Sequence, residues 1–426
     1  MKIYIEGADL IGKTTITSYL QNMFNVEDRH QAITDLVNIN GSLKDNEITK
    51  TFNSINKEDF IIILYTNKSE ILKERLKKRK KSDEFDLNAE LYNNSYRELI
   101  LHTKEYPNII SICIDNKTLY ETIQEISLSV INKKLDDFIE TPVLEGESKQ
   151  FFQINGLEKI AFVKLKSTLY SFTHNRYGSV EKSDELRSKF WKLFSNKLNN
   201  SIIEFELDNI NFDSKKINCI AYEYVLENKE FKLLSNCIGS IVIKNQEYNI
   251  VVFDKKIPNI EIVWKKYLFG TMKHCLLGIE KEPLMDNSNK HIMYEGLLPK
   301  DIVRFDWRNP LPNKDECIPE DFAAFYINTV NAKRTARLVS YLLNSILLES
   351  DFYLVDLCYF MDYSGLSIKS EITPDGMRIR SRGDNNSYDK DLWRNGQEKK
   401  VLIEVWKELL SALEKNTSKT IEGIIQ

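Results

Sequence analysis

The sequence predicts two domains of different class: an N-terminal α/β domain, with a small parallel sheet and a phosphate-binding loop (P-loop), followed by an α+β domain. Three observations lead there. Gly7-Ala8-Asp9-Leu10-Ile11-Gly12-Lys13-Thr14 fits G-x-x-x-x-G-K-[ST] between a strand pattern and a helix pattern. Strand and helix patterns alternate through about residue 135. Beyond 136–142 the alternation gives way to runs of strands followed by helices. A length of 426 residues also exceeds one ordinary domain. The expected domains are 1–138 and 139–426.

In the first domain, residues 2–6 form an apolar-rich strand and 14–23 a helix with Ile16, Tyr19 and Leu20 on one face. Residues 59–66 contain the run IIILY, the signature of a strand covered on both faces of a parallel sheet. A basic helix over 69–81, a strand over 109–114 and a helix over 118–134 complete it. In the second domain, strands are expected at 151–154, 160–166, 202–206, 218–225, 240–243 and 249–253, with a helix at 182–198. A long helix over 320–348, a strand pair at 352–361 and 366–372, and a helix over 400–415 follow.

Composition narrows the function classes. A chain with 42% hydrophobic and 29% charged residues is of the soluble globular class. A net charge of −4 gives no pull toward nucleic acid or anionic membrane. The six cysteines are scattered with no CxxC pair, and the five histidines are dispersed, which argues against a disulfide framework or a zinc cluster and fits a reducing cytoplasm. No segment reads as a signal peptide, and no apolar run approaches the roughly 18 residues that span a bilayer. The expected partners are small molecules, and homo-oligomerisation stays open.

The glycine loop carries the clearest chemistry. Gly7 and Gly12 let backbone amides turn toward phosphate oxygens, and the helix N-terminus adds its positive dipole end. Lys13 would neutralise charge on the β- and γ-phosphates of ATP, Thr14 would ligate magnesium, and Thr15 extends the nucleotide contact. Arg75 and Arg79, at i and i+4, share a helix face and suit a transferring phosphoryl group. The same run also reads as a solvated basic helix. Asp28-Arg29 serves either to organise magnesium or an acceptor hydroxyl (Asp28) and hold the acceptor's phosphate (Arg29), or as a loop salt bridge.

IEGADLIGKTT, Asp28-Arg29, the IIILY strand and LKERLKKRKKSDEFD together resemble the thymidylate-kinase-like branch of P-loop kinases. The resemblance covers about residues 1–135 and implies a Walker A loop, an Asp-Arg pair after the neighbouring strand and an arginine-rich lid over ATP. The interval between the loop and Asp28 is short, so acceptor-binding elements of longer thymidylate kinases are missing.

In the second domain, Thr373-Pro374-Asp375-Gly376 is a turn signal. Asp356 and Glu371 fall on opposite parts of an expected hairpin, where two carboxylates would either make an oxygen-rich magnesium site or be ordinary surface acids. Gly146-Glu147-Ser148-Lys149, the stretch from Ile257 to Gly270-Thr271, Tyr353–Asp356, Glu371–Arg378 and Asp389-Lys390-Asp391 with Arg394 come in one order. Their order and spacing resemble phosphoribosylaminoimidazole-succinocarboxamide (SAICAR) synthetase, an α+β, ATP-grasp-related ligase.

That family uses ATP to activate a nucleotide's carboxylate, as an acyl phosphate, for attack by the amine of aspartate. The resemblance implies that Lys149 touches ATP phosphates and that Asp356 and Glu371 help hold magnesium or order the nucleotide end. It also implies that Gly270-Thr271 lie against substrate and that Asp375 and Arg378 bind the nucleotide, with Arg378 in a catalytic role. Departures fall on charged positions. Glu147 stands for a lysine, Cys358 for a lysine, Phe360 for an acid unless Asp362 replaces it, Ser370 for an acid, and Trp264 for a basic residue beside Lys265 and Lys266. At about 1.5–3 kcal/mol per charged hydrogen bond, these losses argue for an altered substrate or for binding without catalysis. The combined expectation is a bifunctional enzyme, a nucleoside or nucleoside monophosphate kinase fused to an amide ligase. The alternative is a kinase carrying a non-catalytic nucleotide-binding domain.

Overall fold

The computed structural model describes residues 1–38, 43–78, 88–171, 176–208, 212, 214–268, 284–285, 291–292, 296–310, 313 and 315–425. The chain separates into two compact units, Met1–Glu140 with Gln153–Ala161 and Glu230–Lys232, and Thr141–Phe152 with Phe162–Lys229 and Leu233–Gln426.

In the first unit, β1 (Ile3–Gly7), β2 (Val26–Asp28), β3 (Phe60–Tyr65) and β4 (Ile109–Cys113) form a parallel sheet in the order β2-β1-β3-β4. Strand β3 is buried on both faces. Ile61 and Ile63 join a cluster with Ile33, Leu36, Ile48, Phe52, Tyr96 and Leu99. Those residues come from α2 (Gln31–Asn38), α3 (Asp45–Ser54) and α5 (Ala89–Leu99), which follow α1 (Lys13–Leu20) and flank α4 (Ser69–Lys78). By strand alternation Ile62 and Leu64 point to the opposite face. The closing helix α6 (Leu119–Lys133) starts with a capping box, in which Thr118 Oγ1 accepts from the Glu121 amide at 3.2 Å and Glu121 Oε2 from the Thr118 amide at 2.8 Å.

The second unit holds two five-stranded sheets. One runs β10 (Cys237–Ile243), β11 (Gln246–Val252), β7 (Ile160–Leu165), β6 (Lys149–Phe152) and β5 (Leu144–Glu145), in that order. A hairpin, β8 (Thr168–Ser171) and β9 (Arg176–Ser179), follows β7. After a short β13 (Leu284–Met285) and β14 (His291–Ile292) pair, the second sheet is antiparallel throughout. Its order is β16 (Glu316–Ile318), β15 (Leu297–Trp307), β12 (Ile260–Tyr267), β17 (Phe352–Tyr359) and β18 (Met377–Ser381).

The strands 202–206 and 218–225 expected from β-branched residues are helical instead. They belong to α7 (Ser183–Asp208) and α8 (Lys215–Glu227). The buried residues Phe190, Phe194, Leu198, Ile202 and Phe205 recur every three or four positions, and that period overrides the strand preference of SIIEF. The helix expected over 320–348 is two: α9 (Glu320–Ala323) and α10 (Thr329–Leu348). The break is set by Asn328, whose Oδ1 caps α10 by accepting from the Asn331 amide at 3.0 Å. Residues 366–372 are not a strand, and the partner of β17 is β18. Glu371 therefore sits on the connection between them rather than on a hairpin strand. Helices α11 (Asp391–Arg394) and α12 (Lys399–Ile425) end the unit.

Alternation divides the second sheet into a helix side and a charged side. Ile262, Trp264, Leu357 and Tyr359 face α10, where Trp264 meets the Tyr341 ring edge-on at 6.0 Å and Tyr359 donates to the Ala336 carbonyl at 2.8 Å. The opposite face carries Glu261 and Lys265 on β12, Arg304 and Asp306 on β15, Asp356 and Cys358 on β17, and Arg378 on β18. Among the described residues no helix is long and apolar enough to cross a membrane.

Candidate functional sites

The loop between β1 and α1 begins and ends on glycine for steric reasons. Gly7 has φ +143°, and a Cβ there would stand 2.6 Å from the Leu64 carbonyl oxygen; Gly12, at φ +97°, caps α1. The Lys13 side chain folds over this loop. Its Nζ donates to the Gly7 and Ala8 carbonyls at 2.7 and 3.0 Å and to Asp9 Oδ1 at 3.1 Å. Burial pulls the Lys13 ammonium below its ordinary pKa against the opposing pull of Asp9.

Arg29 joins from the end of β2, with Nη2 2.7 Å from Asp9 Oδ1, while Asp28 and Thr14 are exposed and Thr15 is half-buried. Arg75 on α4 donates to the Leu10 carbonyl at 2.9 Å and closes the loop from another side. Arg79 lies outside the described residues. Asp9 is the residue that sequence reasoning missed: an x position of the motif, it holds both cations.

Beneath the loop lies Glu6, fully buried on β1. It accepts from the His30 amide and, at 2.8 Å, from the Tyr96 hydroxyl. Burial pushes its carboxyl up to about 7, against the lowering effect of those two bonds and of Lys13 and Arg29. The folded protein thus holds this proton over a range where the unfolded chain, with a carboxyl near 4.5, has released it. Its contribution to stability is complete below the unfolded value and lost as pH rises through about 7, with a span of about 3 kcal/mol. Glu6→Gln is expected to flatten this decline in urea unfolding followed by far-ultraviolet circular dichroism. Parallel pH curves for wild type and variant would contradict it.

The second unit encloses a cavity of about 580 Å³ over the charged face of its second sheet. Lys149, Asp356, Glu371, Asp375 and Arg378, drawn from separate stretches of sequence, all line it. Asp356 sits between two cations, with its Oδ2 2.7 Å from Lys265 Nζ and 2.7 Å from Arg378 Nη1. Burial alone would raise the Asp356 pKa, but Arg378 and Lys265 outweigh it and hold the carboxylate below its ordinary value. Arg378 also binds Asp391 at 2.9 Å, which in turn accepts from Arg380 at 3.0 Å and Arg394 at 2.7 Å.

Glu371 takes both its oxygens to Arg187, at 3.0 and 2.5 Å, with Lys149 Nζ 3.6 Å away. Asp375 pairs with Lys390 at 2.7 Å. Burial would raise its pKa, but Lys390 and Arg187 hold it down to about 2. Asp356 and Glu371, expected as magnesium partners, thus share one cavity, each held by two cations. Among the described residues no group of three or more His, Cys, Asp or Glu is arranged to hold a metal ion. Gly270 and Thr271 lie outside the described residues.

The substituted positions have structural answers. Trp264 occupies the helix side, donating from Nε1 to Asp301 at 3.1 Å, and Lys265, one residue later, turns to the charged face and bonds the cavity-lining Asp356. Asp362 does not replace the acid at Phe360. It organises a turn, accepting from the Leu366 and Ser367 amides at 3.2 and 3.3 Å, while Phe360 and Cys358 line the cavity. Among the described residues the lining holds seven carboxyl groups against five cations. Glu261 and Asp306, opposite one another in register, are both raised by burial. Asp306 Oδ1 is buried with no hydrogen-bond partner.

No protein-family model matches the chain. The bifunctional cordycepin biosynthesis cluster protein 3 of Cordyceps militaris is 23% identical over 326 residues, covering 63% of this chain and 32% of that protein. The chain thus spans about a third of the length of that relative. Among solved structures, the SAICAR synthase of Ehrlichia chaffeensis aligns at 14% identity, covering 64% of this chain and 98% of its own, with a TM-score of 0.44. The Pyrococcus horikoshii enzyme aligns at 18% identity over 63% and 98% of the two chains, with a TM-score of 0.42. The Saccharomyces cerevisiae enzyme complexed with SAICAR aligns at 12% identity over 65% and 93%, with a TM-score of 0.39.

One residue behind the cavity wall, Arg187, left no local trace in the sequence. Arg187 meets Glu371 across 184 positions. Glu261 and Lys265 on β12 and Arg304 and Asp306 on β15 were visible only as charged residues whose alternation puts them on one sheet face.

Proposed function

We propose that the chain is a bifunctional ATP-dependent enzyme of nucleotide metabolism. The first unit transfers a phosphoryl group from ATP either to a nucleoside hydroxyl, releasing ADP and the hydroxyl's proton, or to a phosphate oxygen of a nucleoside monophosphate, releasing ADP. The second joins an amine, aspartate or another amino acid, to a carboxylated nucleotide, converting ATP to ADP and phosphate as the amide forms. The observation that carries the second activity is the meeting of Lys149, Asp356, Glu371, Asp375 and Arg378 in one cavity. The first rests on Lys13, held over a glycine loop at a helix start. A relative described as bifunctional is consistent with two activities in one chain.

Magnesium-ATP supplies the phosphoryl group at both sites. In the first, the Lys13 ammonium exchanges its loop carbonyls for phosphate oxygens, and the exposed Thr14 hydroxyl is free to turn toward the metal. Arg29, released from Asp9, suits an acceptor phosphate by its fork. In the second, Lys149 and Lys390 are the ammonium groups for phosphate, and the Asp356–Arg378 pair orients the acceptor nucleotide. The cavity's excess of carboxylates fits a nucleotide that arrives with its metal.

A second reading, in which the ligase-like unit holds a nucleotide without chemistry, is favoured by Arg378, whose Nη1 and Nε are committed to Asp356 and Asp391. Equilibrium dialysis of magnesium-ATP is expected to give two sites, one lost with Lys13→Ala and the other with Lys149→Ala. A single site, abolished by Lys13→Ala, would remove the second activity.

A further inference from the structure

The cavity wall mixes charged side chains with apolar ones such as Leu169, Val263, Phe360 and Met377. Phosphates, carboxylates and ammonium groups find partners among the former, and a heterocycle needs a flat ring among the latter. The β8–β9 hairpin offers two rings side by side. Tyr170 and Tyr177 stand directly opposite each other in its register, with ring centroids 6.1 Å apart and planes inclined at 60°. Both line the cavity, and Tyr177 is 57% exposed. Cross-strand pairing puts the two rings on one face of the hairpin. A large ring left this exposed beside a charged cavity is a surface waiting for a flat apolar partner.

The hairpin root is tied to the phosphate side of the same cavity. Thr168 Oγ1 donates to the Glu147 carbonyl at 2.7 Å, two residues before Lys149. Arg187 Nη1 donates to the Lys166 and Thr168 carbonyls at 3.0 and 3.4 Å, and the same guanidinium holds Glu371. A nucleotide with its phosphates near Lys149 and Glu371 therefore finds an aromatic wall fastened to those same groups.

Resting on the ligase reading, we propose that Tyr170 and Tyr177 form the platform on which the heteroaromatic base of a nucleotide stacks in this cavity. The base belongs to the ATP or to the carboxylated acceptor, and both present the same ring chemistry. Alanine substitution of a stacking aromatic weakens base binding by about 1–3 kcal/mol, roughly 5- to 150-fold in dissociation constant.

The test uses the full-length protein and four probes: magnesium-ADP and AMP, which carry a base, and magnesium-tripolyphosphate and ribose 5-phosphate, which do not. Tyr177→Ala and Tyr170→Ala should weaken a base-bearing probe by at least about 5-fold, Tyr177→Phe should retain its affinity, and the base-free probes should be unaffected. Loss confined to magnesium-ADP assigns the platform to ATP; loss confined to AMP assigns it to the acceptor. Base-bearing probes binding every variant like wild type, or base-free probes weakening equally, would overturn the proposal. Amine-dependent ADP release separates the two readings. If wild type lacks it yet the alanine variants lose nucleotide, the platform stands and the ligase reading falls. Turnover with an unchanged KM for ATP and for the acceptor in Tyr177→Ala gives the reverse.

Discussion

Lys13→Ala is expected to lower phosphoryl transfer by the first unit about 10²–10³-fold, the loss that follows removal of one preorganised donor from developing charge. The Lys13 ammonium has three acceptors, all in its own loop, and the side chain is only 4% exposed. Nothing else in the loop carries a positive charge at that point. Arg29 and Arg75 contact Asp9 and Leu10 from other elements and are not placed to substitute for it. Stability should fall by only about 1–2 kcal/mol, because loop carbonyls lose a charged donor and no apolar core is opened. ADP release with a panel of nucleosides and nucleoside monophosphates, alongside urea unfolding, separates these effects. Undiminished transfer would remove the phosphate role of the loop.

The largest stability effect is expected at Asp356. Lys265 is buried, with its side chain 1% exposed, and its ammonium lies 2.7 Å from Asp356 Oδ2. Asp356→Ala removes the carboxylate that the Lys265 ammonium bonds at 2.7 Å in a region of low dielectric, while Arg378 keeps Asp391. Breaking a buried pair in this way destabilises by about 3–5 kcal/mol. The double variant Asp356→Ala with Lys265→Met should recover much of the loss, since replacing both partners by apolar groups removes the buried ammonium together with its carboxylate. All five tryptophans, Trp191, Trp264, Trp307, Trp393 and Trp406, belong to the second unit, so fluorescence reports on it alone. A single variant as stable as wild type would mean that water reaches Lys265 and the pair is not buried in solution.

What the sequence revealed follows from how local each signal is. The glycine loop was legible because its chemistry lies within eight residues and its flanks are a strand and a helix. Strand β3 was legible as a continuous apolar run. Residues 202–206 misled because SIIEF is a short β-branched stretch, and its helical period shows only when extended back to Phe190. Lys265 stood beside the expected basic position, and only its opposite face from Trp264, fixed by pairing with β17, brings it to the cavity-lining Asp356. Glu371 was placed on the wrong element because residues 366–372 run as a connection whose Ile368 amide bonds to Leu234 rather than along a hairpin. Arg187 was out of reach altogether: a helix arginine 184 residues from its partner has no sequence signature.

The central claim is that two ATP-dependent chemistries occupy separate halves of this chain. The most direct measurement is ADP release from magnesium-ATP with carboxylated nucleotides, with and without aspartate and other amino acids, for wild type, Lys13→Ala and Arg378→Ala. The account predicts amine-dependent turnover that survives Lys13→Ala and is lost in Arg378→Ala, beside amine-independent transfer to nucleosides with the opposite pattern. Turnover that never responds to an amine and disappears with Lys13→Ala would contradict it, leaving one kinase and a nucleotide-holding second unit.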